Sequence, residues 1–283
     1  MIEERVHLRS IRLTTRVLKT GRATPVLLLH GSPDSASEWT RVMSALDGAY
    51  DCFAPDLPGL GTCEEPPGSF DYSRAAINAF LDELLTVLDI KEPLILVVHD
   101  VGGVMGIPWA AEHLDRIRGV VITNSVVFEK FPWFGVARAW AREDSWGRAQ
   151  AALRMRLVGA AGGLLFRKAF GRISPELPAA DLERMTREFA MDPKSKRSTL
   201  RLFRRMVPSA FFDGVDAMVA RIVATVPTRI VWGRGDPYIP ELYAHRFDGA
   251  HLTMLEHAGH WVPISSANEV AAAIRAVAQR GKN

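Results

Sequence analysis

The segment Pro93-Leu-Ile-Leu-Val-Val98 carries six residues without a charge and runs straight into His99-Asp-Val-Gly-Gly103. A run this short and this apolar predicts a strand buried on both faces. Such strands belong to parallel sheets covered by helices on either side. The design recurs along the chain: residues 25–30 end at a Gly turn and residues 52–56 end in Leu57-Pro-Gly-Leu-Gly61, while 120–123, 228–232 and 251–255 are further short apolar runs. Helical patterns separate them. Ala76, Phe80, Leu84 and Leu88 share one face within residues 72–88, residues 103–113 read as a second helix, and the Ala-rich residues 268–279 as a closing one. This alternation specifies an α/β fold with a mostly parallel sheet of about eight strands.

The alternation breaks between residues 128 and 213. That stretch is helical in pattern and holds Trp133, Trp140 and Trp146. An insertion between two sheet strands caps their C-terminal edge, where ligands bind in open α/β sheets. Residues 1–127 and 214–283 are therefore expected to form the core, and 128–213 a helical cap.

Charge is unevenly placed. Residues 130–211 hold 17 Lys+Arg against 7 Asp+Glu, in a chain whose net charge is only +3. Such asymmetry fits an anionic substrate or an acidic partner at the cap, and equally a set of solvated arginine faces. Two cysteines in 283 residues form no disulfide framework. No apolar run approaches the ~20 residues of a membrane span, and residues 1–10 lack the apolar core of a signal peptide. The expectation is a cytoplasmic protein taking a small-molecule substrate, without nucleic-acid or membrane partners. With no H-E-x-x-H and no G-x-G-x-x-G, no metal or other cofactor is expected.

The chemistry-bearing residues sit where strands end. After the 93–98 strand, Asp100 stands in a tight strand-to-helix turn. That turn holds one side chain out over the sheet edge, and a small residue two places on lets the helix pack close. An aspartate there also reads as a plain helix N-cap. His30-Gly-Ser-Pro33 ends another strand, and a backbone N–H in such a turn can stabilise a developing oxyanion together with the N–H after the nucleophile. Gly233-Arg-Gly-Asp-Pro237 supplies Asp236, able to orient an imidazole. His257-Ala-Gly-His-Trp261 supplies His260 as base, with His257 the weaker rival.

Asp100, Asp236 and His260 occur in the chain order nucleophile, acid, base of the α/β-hydrolase triad, and the sequence resembles that superfamily over nearly its whole length. Val97-Val-His-Asp-Val-Gly-Gly103, Gly106-Ile-Pro-Trp-Ala110, and His30-Gly-Ser-Pro33 followed by Trp39 are similar to the haloalkane dehalogenase and epoxide hydrolase branch. The resemblance implies the α/β-hydrolase fold with a helical cap, and an aspartate that attacks carbon to form an alkyl-enzyme ester. Asp100 is then the nucleophile, His260 activates water and Asp236 orients His260. The N–H groups of Ser32 and Val101 form the oxyanion hole. Asn124 stands where some relatives carry the acid, and an amide cannot replace that anion. Trp39, Trp133, Trp140, Trp146 and Asn124 are the substrate-contact candidates.

Two departures bear on the reaction. Many members of that branch have Trp after the nucleophile, whose indole holds halide in the dehalogenases; here it is Val101. Epoxide hydrolases donate to the epoxide oxygen from cap tyrosines or a His/Tyr pair. Tyr50, Tyr72, Tyr238 and Tyr243 all lie outside the expected cap, as does every histidine. Halide leaves without a proton and an alkoxide does not, so the dehalogenase-like reading leads and the epoxide hydrolase follows. A serine esterase is disfavoured, since Ser32 and Ser125 lie at other strand ends. An isomerase or cyclase using Asp100 as base, or a binding protein on this fold, are the readings from other classes.

Overall fold

The computed structural model describes residues 1–21 and 23–280. Eight strands form one sheet: β1 (Ile2–Leu8), β2 (Leu13–Thr20), β3 (Pro25–Leu29), β4 (Asp51–Pro55), β5 (Leu94–His99), β6 (Ile117–Thr123), β7 (Thr228–Gly233) and β8 (His251–Leu255). Their spatial order is β1-β2-β4-β3-β5-β6-β7-β8. The pairs β1–β2 and β2–β4 are antiparallel and all others parallel. The first two strands are absent from the sequence reading. β1 is an edge strand whose first four residues, Ile-Glu-Glu-Arg, are exposed, so it has no apolar run to announce it.

The main helices are α1 (Thr40–Ala45), α2 (Arg74–Val87) and α3 (Val101–Glu112). Between β6 and β7 come α4 (Gly135–Ala141), α5 (Ser145–Val158), α6 (Ala160–Ile173), α7 (Ala179–Met185) and α8 (Pro193–Met206). α9 (Val215–Thr225) also precedes β7, and α10 (Val262–Ser265) and α11 (Ala267–Arg280) follow β8. Alternate residues of the buried strands feed opposite cores, as the two-residue period of a strand requires. Leu94, Leu96 and Val98 of β5 join α2, α3 and α9 on one face. Ile95 and Val97 join α1 and α11 on the other. Every residue of β5 is buried, so truncating Leu96 to Ala is a core deletion of the kind that costs ~2–5 kcal/mol.

The helices α4–α8 bury a smaller core of their own. Met155, Phe166, Met185 and Phe189 meet Trp261 and Ile264 of the main body there. Charged contacts fasten the same helices down. Arg184 of α7 pairs with Asp34, which is fully buried in the loop after β3, and Arg41 of α1 pairs with Asp181 of α7 at 2.7 Å. Both cysteines are buried and free. No helix among the described residues is long and apolar enough to cross a membrane.

Candidate active site

β5 ends at His99, and α3 starts two residues later with Asp100 between them. Asp100 has φ 46° and ψ −121°, a backbone conformation an L-residue adopts only when its surroundings enforce it. Three hydrogen bonds do so. Asp100 N donates to Asn124 O at 3.1 Å, while Ser125 Oγ at 2.6 Å and Gly103 N at 3.1 Å donate to Asp100 O. Gly102 must be glycine: a Cβ there would sit 2.2 Å from the Leu29 carbonyl oxygen of β3, so α3 could not approach the sheet. This close packing aims the Asp100 carboxylate over the sheet edge instead of back onto the helix. Its Oδ2 accepts from Ser32 N at 2.9 Å.

The partners arrive from β7 and β8. Asp236, in the loop after β7, accepts at Oδ1 from Tyr238 N at 2.7 Å and Ile239 N at 3.0 Å. Its Oδ2 accepts from Asn124 Nδ2 at 2.7 Å and lies 2.7 Å from His260 Nδ1. Burial works against the carboxylate. The imidazole and the two backbone donors nevertheless hold Asp236 below the usual range. His260 is buried, whereas His257 is exposed. Burial also lowers the basicity of His260. The Asp236 carboxylate beside it, with Asp100 and Glu38 further off, reverses this and lifts His260 to about 9. Since Nδ1 faces Asp236, Nε2 is the nitrogen left to exchange protons with a substrate or water.

Asp100 and His260 line one cavity of about 900 Å³, whose walls are chiefly apolar. Trp133, Phe134 and Trp140 come from the helical segment, and Ser32, Tyr238 and Trp261 from the main body. The Trp261 indole donates to Ser174 Oγ at 3.1 Å. Those of Trp133 and Trp140 have no protein acceptor among the described residues. Also among the described residues, no cluster of His, Cys, Asp and Glu is placed to hold a metal.

Three substrate-contact expectations need correction. Trp39 is fully buried in the core on the α1/α11 face, away from the cavity. Trp146 is 67% exposed on α5 and does not line the cavity. Asn124 is spent on protein groups, donating to Asp236 and Gly233 O and accepting from Gly233 N at 2.9 Å. It holds Asp236 and does not line the cavity. Val101 is buried as the first residue of α3. Its N–H belongs to the open end of the helix, and only the Ser32 N–H is seen bonding the Asp100 carboxylate.

One cavity group escaped the sequence reading. Tyr238 packs edge-on to His260 with ring centroids 5.0 Å apart, and its hydroxyl is 3.4 Å from Ser174 Oγ. Burial foremost pushes its phenol up to about 12, so it stays a donor at neutral pH. Its position two residues after Asp236 was the available signal, outside the cap where epoxide-hydrolase-like donors were expected.

A strained turn presenting a carboxylate, a His–Asp pair from later strand ends and a backbone donor form the arrangement of an α/β hydrolase site. A model of the alpha/beta hydrolase family matches residues 26–273, and the chain belongs to that family. Over 127 residues it is 34% identical to a cis-3-alkyl-4-alkyloxetan-2-one decarboxylase of Xanthomonas campestris pv. campestris, covering 41% of this chain and 42% of the relative. Over 108 residues it is 35% identical to a haloalkane dehalogenase of Sphingobium indicum, covering 38% and 36%. The chain thus aligns with about two fifths of the length of these relatives. Among solved structures, the epoxide hydrolase CorEH superposes with a TM-score of 0.79 at 19% identity, covering 99% of both chains. An esterase from Thermogutta terrifontis superposes at 0.74 and 20% identity over the whole of both. These two likenesses are of fold.

Proposed function

We propose that this enzyme uses Asp100 as a nucleophile toward saturated carbon and hydrolyses the resulting alkyl ester with water activated by His260. The observation that carries the reading is the identity of the residue at the strained turn. It is a carboxylate, its Oδ2 is anchored by Ser32 N–H at 2.9 Å, and it shares a cavity with His260. In this reading residues 128–213 act as a lid over a core made of 1–127 and 214–283.

The electrostatics suit a two-step reaction. His260, lifted to about 9 partly by the Asp100 charge, is an imidazolium in the resting enzyme at neutral pH. It cannot deprotonate anything in that state, and alkylation of Asp100 does not require it to. Esterification removes the Asp100 charge, so His260 loses one of the groups that raise it and moves toward the range of a useful base. Water then attacks the ester carbonyl, and the Ser32 N–H meets the oxyanion that forms on the Asp100 carboxyl.

An apolar cavity with few donors favours leaving groups that depart as stable anions. Halide is one, as the likeness to haloalkane dehalogenases suggests. The carboxylate released when an oxetan-2-one ring opens at its C4 carbon is another, and it too needs no proton. A second reading, epoxide hydrolysis, is favoured by Tyr238, whose hydroxyl can donate to an opening epoxide oxygen. The test is intact-protein mass spectrometry of His260→Gln after incubation with haloalkane, oxetan-2-one and epoxide panels. A stable adduct mapping to Asp100 is expected with one panel. If no panel alkylates Asp100 while the wild type turns the substrate over, the carboxylate is not the nucleophile.

A further inference from the structure

The charge excess of the helical segment is not spread evenly. Around α7 and α8 several cations are engaged: Arg184 with Asp34, Asp181 and Glu188, Arg187 with Glu183, and Arg197 with Glu65. Residues 145–173, spanning α5 and α6, carry six cations and no carboxylate. All six are exposed, and among the described residues none is in an ion pair. The same two helices hold exposed apolar side chains: Trp146 at 67%, Leu153 at 57%, Leu157 at 50% and Leu165 at 52%.

Helical geometry organises them. At 100° per residue, Trp146, Leu153 and Leu157 fall within about 40° of one another on α5. Gly147, Ala151 and Met155, which are buried, occupy the opposite side. Arg154 and Arg156 flank the apolar stripe at about 80° on either hand. An apolar stripe turned away from the protein and bordered by long cationic side chains is the arrangement of a helix lying in a lipid interface. The apolar residues enter the acyl boundary, and the arginines reach back to headgroups. The exposed apolar surface is also continuous with the cavity, which Leu157 of the stripe and Leu165 of α6 both line.

We propose that the α5–α6 face docks on an anionic phospholipid surface, setting the mouth of the cavity against the bilayer so that an apolar substrate enters from the lipid. That no described helix is long and apolar enough to cross a membrane does not bear on this, because an interfacial helix lies on the membrane and does not cross it. The charges select anionic lipid, and the apolar stripe selects a lipid surface over an acidic protein. Docking is independent of the chemistry at Asp100 and is read without turnover.

The experiment is sedimentation of the full chain with vesicles of phosphatidylglycerol and phosphatidylcholine, and with vesicles of phosphatidylcholine alone. Binding to the mixed vesicles is expected, weak on the neutral ones and falling as salt is raised. Arg156→Ser and Lys168→Ser should each weaken it about fivefold, the effect of one cation near such a surface. Trp146→Ser with Leu153→Ser should weaken it at least as much. All four positions are exposed, so these variants keep the fold, which circular dichroism checks. No binding to the mixed vesicles overturns the proposal, as does binding that the charge variants weaken and the apolar pair leaves intact. That second pattern belongs to a surface for an acidic protein.

Discussion

Glu38 Oε1 lies 2.9 Å from His99 Nδ1, and both side chains are completely buried, His99 one residue before Asp100. The two atoms touch without the alignment of a well-directed hydrogen bond. The other ring nitrogen, Nε2, is 3.0 Å from the His260 backbone oxygen, and the two imidazole rings are 4.6 Å apart. A carbonyl only accepts, so Nε2 carries the proton in that bond. Burial alone would raise Glu38. His99 first, then His30 and the Gly31 N–H, hold it below the ordinary carboxylate range instead. A second acid–imidazole pair thus lies beneath the His260 loop and fixes its backbone.

Glu38→Gln should therefore destabilise the fold, because it leaves His99 buried beside an uncharged amide. Breaking a buried pair from one side costs ~3–5 kcal/mol. The sign with pH follows from the lowered Glu38 value. Its contribution is present above the unfolded value near 4.5 and lost as pH falls through the lower folded one. Urea unfolding of wild type and Glu38→Gln at pH 7, and again at acid pH, checks both. A difference that stays constant with falling pH would show that Glu38 is not held as a carboxylate.

His260 offers a titration test. Its folded value, about 9, lies above the ordinary imidazole value of 6.5. The stability it contributes is fully present below about 6.5 and lost as pH rises through about 9. Asp100→Asn removes one of the charges that raise it, so the His260 proton should titrate at lower pH in that variant. Asp236→Asn, which removes the largest raising contribution, should lower it further. Histidine ring proton shifts followed by NMR distinguish the three proteins. Identical titrations in wild type and Asp100→Asn would remove the electrostatic link between ester formation and base activation.

Tyr238 separates the two substrate readings. Halide and ring carboxylate leave as stable anions, so Tyr238→Phe should change turnover of such substrates by less than about tenfold, the loss of one hydrogen bond. An opening epoxide becomes a strong base, and loss of its donor should cost roughly 10²–10⁴-fold. Steady-state rates of wild type and Tyr238→Phe on both classes decide this. A large loss on epoxides makes epoxide hydrolysis the main reading.

Legibility in the sequence followed the strength of local patterning. β5, with every residue buried, and the Asp100 turn after it could be read because a charge-free run beside paired glycines has few other folds. β1 could not, since an edge strand needs no apolar run. The placement of Asp100, Asp236 and His260 at strand ends was legible because strand ends are marked by turns. Side-chain destination was not. Trp39 and Trp146 are the same residue type in helical surroundings, yet one is in a core and the other in solvent. The side of the helix decides, and that depends on neighbours far along the chain. Tyr238 was hidden for the same reason, since its place beside His260 exists only once β7 and β8 pair.

The fate of solvent oxygen tests the mechanism most directly. If Asp100 attacks carbon, the product's new oxygen comes from the carboxylate. Water, activated by His260, then attacks the ester carbonyl and leaves its oxygen on Asp100. A single turnover in H₂¹⁸O should label Asp100 and yield largely unlabelled product, while later turnovers deliver label to product. Peptide mass spectrometry locates the label, and product mass spectrometry counts it. His260→Gln should stop at the unlabelled ester, because alkylation needs no base and hydrolysis does. Asp100→Asn should lose most activity, since an amide is a poor nucleophile. Label appearing in the first-turnover product, with Asp100 unlabelled, would mean that water attacks substrate directly and Asp100 serves as its base. Product formed with no solvent oxygen in either place would point to elimination or rearrangement, with Asp100 acting on a proton rather than on carbon.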